Sequence, residues 1–225
     1  VGDERSTEEL ADAVSRVASE RSLRPVYQPI FSLTSGMPVG FEGLVRPMPG
    51  SGFDNAGSLF TAAEIADRIV ELDMAAIETI AARVEALQPG QYLSLNLSPR
   101  TLETEQFHGG VVATGMDDRD MIEIGGDSGD WEKDRRTVSR AELIGIMRRY
   151  GLRPDQVVVE LTEREAIEDL ARLRANLDRV RAAGFRIAAD DVGAGNAGLR
   201  LLSEITFDVV KIDLSATLEA GKPPN

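Results

Sequence analysis

The 225-residue chain contains no cysteine and a single histidine. The absence of cysteine excludes disulfide bonds and thiolate metal sites, and it is compatible with the cytoplasm. No apolar run is long enough to cross a membrane, and the N-terminal sequence VGDERSTEEL lacks the basic and apolar regions of a signal peptide. We therefore expect a globular, cytoplasmic protein with no membrane segment in this chain.

Positive charge is also scarce. The chain has 25 Lys and Arg residues against 38 Asp and Glu residues, which gives a formal net charge of −13. Binding to DNA or RNA needs a basic face, so we expect neither as a partner. An anionic substrate can still bind where metal ions invert the local potential. The charge balance therefore favours a metal-assisted site over a basic groove.

Capping boxes, in which Ser or Thr is followed three residues later by Glu, predict three helix starts. The pairs are Ser6 with Glu9, Thr61 with Glu64, and Ser139 with Glu142. The apolar period extends the second of these helices to Leu87, and Gly151 should end the third. A fourth helix is expected from about Glu165 to Ala183, ended by Gly184.

Six short apolar segments have the length of β-strands. They are Val26–Leu33, Val39–Val45, Tyr92–Leu97, Val157–Leu161, Phe185–Asp190 and Phe207–Ile212. A turn at Ser35-Gly36 predicts a hairpin between the first two, and helices alternate with the later strands, as in parallel βα units. We predict an α/β fold, either an open doubly wound sheet or a barrel, with residues 109–137 as an irregular surface insertion.

Polar side chains lie on or just after five of these strands, where parallel α/β folds collect their functional residues. They are Glu42, Asn96, Glu160, Asp190, Asp191, Lys211 and Asp213. Clustered carboxylates require cations, and oxygen ligands favour Mg²⁺ or Mn²⁺ over zinc. Lys211 is either a salt-bridge partner of an aspartate or a base that orients water. Two divalent ions suit phosphodiester hydrolysis, with Arg46 available for a phosphate oxygen.

The glycines that follow Asp190 and Asp191 allow two interpretations. Gly193, Gly195 and Gly198 form the G-x-G-x-x-G pattern of a dinucleotide-binding loop, whose amides meet a pyrophosphate. Alternatively, the aspartates hold metal ions and the glycines only let the loop turn. Two carboxylates directly before the loop would repel a pyrophosphate, which weakens the prediction of a nicotinamide-dependent oxidoreductase.

Six motifs then occur in the order in which a known family has them, from about residue 23 to residue 215. They are Tyr27-Gln28-Pro29-Ile30, Glu42-Gly43-Leu44-Val45-Arg46, Leu95-Asn96-Leu97-Ser98, Glu160-Leu161-Thr162-Glu163, Asp190-Asp191-Val192-Gly193-Ala194-Gly195 and Lys211-Ile212-Asp213. On these motifs the chain resembles the EAL domain, a cyclic di-GMP phosphodiesterase. The resemblance implies a TIM-like (βα)8 barrel with an antiparallel first strand over residues 23–225, after a helix or linker at residues 1–22.

The resemblance also implies residue roles. The metal ligands would be Glu42, Asn96, Glu160, Asp190 and Asp191, around two Mg²⁺ or Mn²⁺ ions. The residues counted as catalytic would be Lys211, Glu42 and Glu163. Lys211 would orient or deprotonate the attacking water, and Glu163 would steady the glycine loop. Gln28 and Arg46 would contact cyclic di-GMP, which would be hydrolysed to linear pGpG. A homodimer and regulatory domains elsewhere in the full-length protein are implied as well.

Three departures from the family accompany the resemblance. Gly43 stands where the family has Ala, and DVGAGNAGL at residues 191–199 replaces DFGTGYSSL. The sequence ends soon after the sixth strand, so the family's last two strands are expected to be missing. This suggests a shortened or truncated product, or a barrel that a partner chain completes. The alternative function is a degenerate EAL domain that binds cyclic di-GMP or a protein without hydrolysis.

Overall fold

The computed structural model of the protein describes residues 5–85, 87–103, 140–161, 169–192 and 204–212. The predicted insertion at 109–137, the glycine loop at 193–198 and Glu163 lie outside the described residues. The elements are α1 (Thr7–Ser19), β1 (Leu23–Phe31), β2 (Pro38–Pro47), α2 (Ala56–Ile65), α3 (Ile69–Ala81), β3 (Tyr92–Leu97), α4 (Pro99–Glu103), α5 (Arg140–Arg149), β4 (Val157–Leu161), α6 (Leu170–Ala182), β5 (Arg186–Val192) and β6 (Val209–Ile212).

The strands form one six-stranded sheet within the described ranges, in the order β1-β2-β3-β4-β5-β6. β1 and β2 pair antiparallel, with Gly36 at a φ of 68° in their turn, and all later neighbours pair in parallel. The predicted hairpin and the α/β class are confirmed. β3 and β4 have the predicted bounds, and the other strands begin and end within three residues of theirs.

The two faces of the sheet differ in chemistry because successive residues of a strand point to opposite sides. On one face, Leu93, Leu95 and Val159 are fully buried in the apolar core, which the helices cover. On the other face, alternate positions carry polar groups, which include Ser94 and Glu160. The same strands therefore build both the core and a polar interior.

The predicted helix from Thr61 to Leu87 is wrong, because two helices occupy this region. α2 begins after Asn55, whose side chain accepts a hydrogen bond from the Ser58 amide, so Thr61 lies inside the helix. The chain then turns at residues 66–68, with Asp67 at a φ of 56°, before α3 begins. Apolar residues continue across the break at helical spacing, which is why their period did not reveal it.

The first and the last of the predicted helices, α1 and α6, both have side-chain N-caps. Ser6 and Glu9 form the predicted capping box of α1, which buries Leu10 and Val14 against the core. α6 begins at Leu170, not at about Glu165, because Asp169 has an extended backbone and accepts from the Arg172 amide as N-cap. In the part of the chain that the structure describes, no helix is long and apolar enough to span a bilayer.

Candidate metal centre

Three carboxylates converge on the polar face of the sheet. Glu42 of β2, Glu160 of β4 and Asp190 of β5 each offer one oxygen, and these three oxygens lie within 4.8 Å of one another. Glu160 is 1% exposed, whereas Glu42 and Asp190 are partly exposed. Because β2 to β5 run parallel in one sheet, residues far apart in sequence meet here. The structure thus brings together the three strand carboxylates that the sequence predicted to converge.

Lys211 of β6 lies among all three carboxylates. Its Nζ is 2.8 Å from Glu160 Oε2, 3.0 Å from Asp190 Oδ1 and 3.1 Å from Glu42 Oε2. Burial alone lowers the pKa of Lys211, but the hydrogen bonds and charges of Glu160 and Asp190 outweigh it and raise the pKa. One ammonium balances one of three carboxylates, so the cluster still favours additional cations.

Two neutral side chains of β3 orient these acids. Asn96 Nδ2 donates a hydrogen bond of 3.1 Å to Glu42 Oε1, so the amide oxygen is the atom of Asn96 that can bind a cation. Ser94 is fully buried, and its hydroxyl donates to Glu160 Oε1. Sequence reasoning missed Ser94. The available signal was its polar side chain two positions before Asn96, on the same face of an otherwise apolar strand.

The buried surroundings of Glu160 make this carboxyl harder to ionise than an exposed glutamate. Burial raises the pKa of this carboxyl, and the hydrogen bonds from Lys211 and Ser94 only partly oppose that effect. A cation that binds to Glu160 must displace a proton at low pH, because metal ligands bind in their deprotonated form. The affinity of the site for a cation should therefore fall on acidification.

Gln28 and Arg46 lie on the β1–β2 hairpin, on the face of the sheet that carries Glu42. Gln28 is exposed and lies opposite Glu42 in the antiparallel register, so the two side chains share a face of the sheet. Arg46 is four residues beyond Glu42 on β2, and by strand alternation it belongs to the same face. Its guanidinium donates to the carbonyl oxygen of Val45 over 2.9 Å.

The structure therefore brings five predicted site residues together, and the side chains of three others, Asp191, Asp213 and Glu163, lie outside its described part. The five are Glu42, Asn96, Glu160, Asp190 and Lys211. Asp191 follows Asp190 in β5. The donor set contains carboxylate and amide oxygens without sulfur or imidazole. These ligands suit a hard divalent cation such as Mg²⁺, Mn²⁺ or Ca²⁺.

Comparison with known proteins places this chain in a family. The family model described as the EAL domain matches residues 8–124 and 134–225. "Probable cyclic di-GMP phosphodiesterase PdeA" of Escherichia coli K12 is 35% identical over 71 residues, which is 32% of this chain and 10% of PdeA. The similarly named PdeB of the same organism is 28% identical over 210 residues, which is 92% of this chain and 34% of PdeB. The chain thus spans about a third or less of these relatives.

A solved structure supports the same assignment. BlrP1 of Klebsiella pneumoniae, in complex with calcium and cyclic di-GMP, is 26% identical, with a TM-score of 0.61 over 86% of this chain and 41% of BlrP1. Its complex with manganese and cyclic di-GMP matches with a TM-score of 0.60. The predicted fold, a TIM-like barrel of EAL type that has an antiparallel first strand and is truncated after the sixth strand, is therefore confirmed in the described residues. Sequence model, fold and acidic cluster agree, and the chain belongs to the EAL domain family.

Proposed function

We propose that this protein hydrolyses cyclic di-GMP to linear pGpG, in a reaction that depends on divalent metal ions, as part of bacterial second-messenger signalling. The observation that carries the proposal is the convergence of Glu42, Glu160 and Asp190 around Lys211. The names of PdeA and PdeB and the ligands in the BlrP1 complexes support the choice of substrate.

The residues present fit the metal ions that this reaction requires. Glu42, Asn96, Glu160 and Asp190 would hold Mg²⁺ or Mn²⁺, and Asp191 would contribute to the second of two metal positions. Bound divalent ions supply positive charge next to the phosphate and lower the pKa of a bound water, so that hydroxide forms near neutral pH. Clustered carboxylates are retained at such a centre because the cations offset their mutual repulsion.

Lys211 has one of two roles that the sequence leaves open, and its surroundings favour one of them. Three carboxylates contact Nζ at 2.8–3.1 Å and stabilise its ammonium form. An ammonium group donates hydrogen bonds but accepts no proton. We therefore assign Lys211 to orienting the attacking water and holding positive charge beside the phosphate, in preference to deprotonating the water.

Substrate contacts would come from the β1–β2 hairpin. The guanidinium of Arg46 can hold a phosphate oxygen pair bidentately, and the exposed amide of Gln28 can both donate to and accept from a nucleobase edge. Both residues lie on the face of the sheet that carries Glu42. Glu163 would steady the glycine loop, as the resemblance implies.

Hydrolysis with added metal tests the proposal directly. Purified protein is incubated with cyclic di-GMP and either Mg²⁺ or Mn²⁺, and pGpG is separated by liquid chromatography. Glu42→Ala should lower kcat/KM by at least about 100-fold, the upper end of the loss when only an outer-shell partner of a metal ligand is removed. Asp12→Ala removes one exposed carboxylate on α1 and serves as the charge-matched control. Absence of hydrolysis with both metals, or equal rates in Glu42→Ala and the wild type, would contradict the proposal.

A non-catalytic EAL domain is the second candidate, and the substituted loop at residues 191–199 favours it. Such a domain would bind cyclic di-GMP, or a protein partner, and leave the dinucleotide intact. Equilibrium dialysis with labelled cyclic di-GMP, in EDTA and in Mn²⁺, distinguishes the two functions. Retention of unhydrolysed dinucleotide under both conditions supports the binding domain, whereas pGpG formed only with Mn²⁺ supports the enzyme.

Assembly and cellular context belong to the proposal as well. A homodimer, regulatory domains in the full-length protein and a cytoplasmic location remain predictions. The matched relatives are about three or more times as long as this chain, which leaves room in them for further domains. Sedimentation velocity of the protein, with and without cyclic di-GMP, measures whether it forms the predicted homodimer.

A further inference from the structure

α3 carries a carboxylate in the interior of the protein, away from the acidic cluster. Asp73 is 4% exposed and lies between Leu72 and Met74, which are also buried. Its Oδ2 accepts a hydrogen bond of 3.0 Å from the Ser98 amide and one of 2.6 Å from Thr101 Oγ1. Without such partners, burial of a carboxylate would be strongly unfavourable.

These hydrogen bonds hold the turn that joins β3 to α4. Ser98 Oγ accepts from the Thr101 amide over 3.1 Å and lies 2.9 Å from Thr101 Oγ1. Ser98 follows Asn96, the residue that contacts Glu42, by two positions, so the network begins directly after the end of β3. Asp73 therefore links α3 to the backbone that determines where β3 ends.

The other end of α4 is held by a second buried polar side chain. Asn176 of α6 is fully buried, and its Nδ2 donates to the carbonyl oxygen of Leu102. Arg179 Nη1 in turn donates to Asn176 Oδ1 over 2.7 Å. The short segment after Asn96 is thus fixed at both ends by polar groups from α3 and α6.

Stability alone does not explain why a carboxylate occupies position 73. Ser98 already caps the first turn of α4 through its own hydroxyl, so the turn has a local capping bond without a buried charge. Buried charges are weak contributors to net stability, and an apolar residue of similar volume often serves better. What the carboxylate adds is one fixed geometry for the Ser98 amide and the Thr101 hydroxyl.

We propose that Asp73 is a positioning residue, which holds the β3–α4 turn so that Asn96 presents its amide oxygen to the metal centre. This inference rests on the proposed function, since it assigns Asn96 as a metal ligand. Functional groups must be held to within about 0.5 Å of their working geometry, and residues that orient metal ligands alter affinity by about 10–100-fold. Asp73 acts on Asn96 through Ser98, without contact to substrate.

Metal affinity, measured without substrate, tests this role. Mn²⁺ binding to the full chain is followed by electron paramagnetic resonance, and unfolding of the metal-free protein is recorded in EDTA. Asp73→Leu, which removes the acceptor and keeps the branch at Cγ, should weaken Mn²⁺ binding about 10–100-fold. Asp73→Asn keeps an oxygen that can accept both hydrogen bonds, and it should recover most of the affinity lost in Asp73→Leu. Met74→Ala, a core truncation at the next position of α3, should lower stability and leave Mn²⁺ affinity unchanged.

A double-mutant cycle separates positioning from general damage. Asp73→Leu should add little to the loss caused by Asn96→Ala, because both changes act through the same amide oxygen. If Asp73→Leu does not fold, Thr101→Val removes one of the two hydrogen bonds at nearly constant shape and should weaken Mn²⁺ binding in the same direction. The inference about Asp73 would be overturned if Asp73→Leu, or Thr101→Val where that variant is used, binds Mn²⁺ as tightly as the wild type. Fully additive losses in the cycle would overturn it too. Neither result would affect the proposed function. A wild type that binds no Mn²⁺ would overturn the proposed function, and this inference with it.

Discussion

Lys211 Nζ lies 2.8 Å from Glu160 Oε2, and this contact joins β6 to the most deeply buried carboxylate of the acidic cluster. The same ammonium also contacts Glu42 and Asp190, so carboxylates from three strands surround one ammonium group of a fourth strand. A lysine in an apolar strand is therefore explained by its neighbours. Its positive charge reduces the repulsion among the three carboxylates without a bound metal ion.

Removal of the lysine charge should make folding depend more strongly on metal. In Lys211→Met, three carboxylates face one another without an ammonium, so the metal-free protein should unfold at a lower temperature than the wild type. A ligand that binds only the folded state raises stability by an amount that grows with its affinity. We expect Mn²⁺ to raise the Tm of Lys211→Met by more than it raises that of the wild type, measured by calorimetry in EDTA and in Mn²⁺.

Lys211→Arg keeps the positive charge and is the control for this prediction. Equal metal-induced shifts in all three proteins would contradict this expectation.

Ser94 should set the acidic limit of activity. The hydroxyl of Ser94 donates to Glu160, and this hydrogen bond opposes the rise in pKa that burial causes. In Ser94→Ala the pKa of Glu160 should rise further, so protons compete with metal up to a higher pH. The acidic limb of a plot of kcat/KM against pH should shift upwards, with the plateau at high pH affected less. Ser15→Ala removes another serine–carboxylate hydrogen bond, to Glu71 over 2.9 Å, which joins α1 to α3. An upward shift of the same size in Ser15→Ala would refute the assignment.

Burial of Asp73 should produce a pH dependence of stability. Burial raises the pKa of this carboxyl from 3.8 to about 6, against the lowering effect of its hydrogen bonds to Thr101 and Ser98. The folded state then holds a proton that the unfolded state releases between about pH 4 and pH 6. The contribution of Asp73 to stability is fully present below pH 4 and is lost as the pH rises through 6, by about 3 kcal/mol at most.

Urea unfolding of the wild type and of Asp73→Asn between pH 4 and pH 7.5 measures this term. Asn does not titrate, so the free energy of unfolding of Asp73→Asn relative to that of the wild type should increase across this range. A difference between the two proteins that stays constant with pH would show that Asp73 titrates alike in the folded and unfolded states.

The sequence predicted those parts of the fold and site that follow from local pattern. The acids at the strand ends stood out because each interrupts an apolar run, and parallel pairing of the strands brings such positions together. The helix break at Asp67 was missed because apolar spacing continues across it. The contacts of Ser94 and Asp73 were missed because their partners lie 66 and 25 residues away along the chain. Such pairs are fixed by how strands and helices pack, which no local pattern encodes.

The departure at Gly43 has a packing reason in α3. A Cβ built at Gly43 would lie 2.5 Å from Ile80 Cγ2, far inside van der Waals contact. Restoring the family's alanine should therefore destabilise this protein, by about 1–3 kcal/mol for an overpacked core position. The free energy of unfolding in urea measures the effect. Leucine lacks the Cγ2 branch, so Ile80→Leu in the Gly43→Ala background should recover part of the loss.

A control glycine shows whether the effect belongs to packing. Gly145 lies inside α5, and within the described part of the chain a Cβ built there would have no atom within 4 Å. Gly145→Ala should stabilise the protein by about 0.5–1 kcal/mol, because alanine loses less backbone entropy on entering a helix. A Gly43→Ala variant that is as stable as the wild type, or more stable, would show that α3 moves away to admit the methyl group. In that case Gly43 would carry no packing constraint, and α3 would lie farther from β2 in the variant.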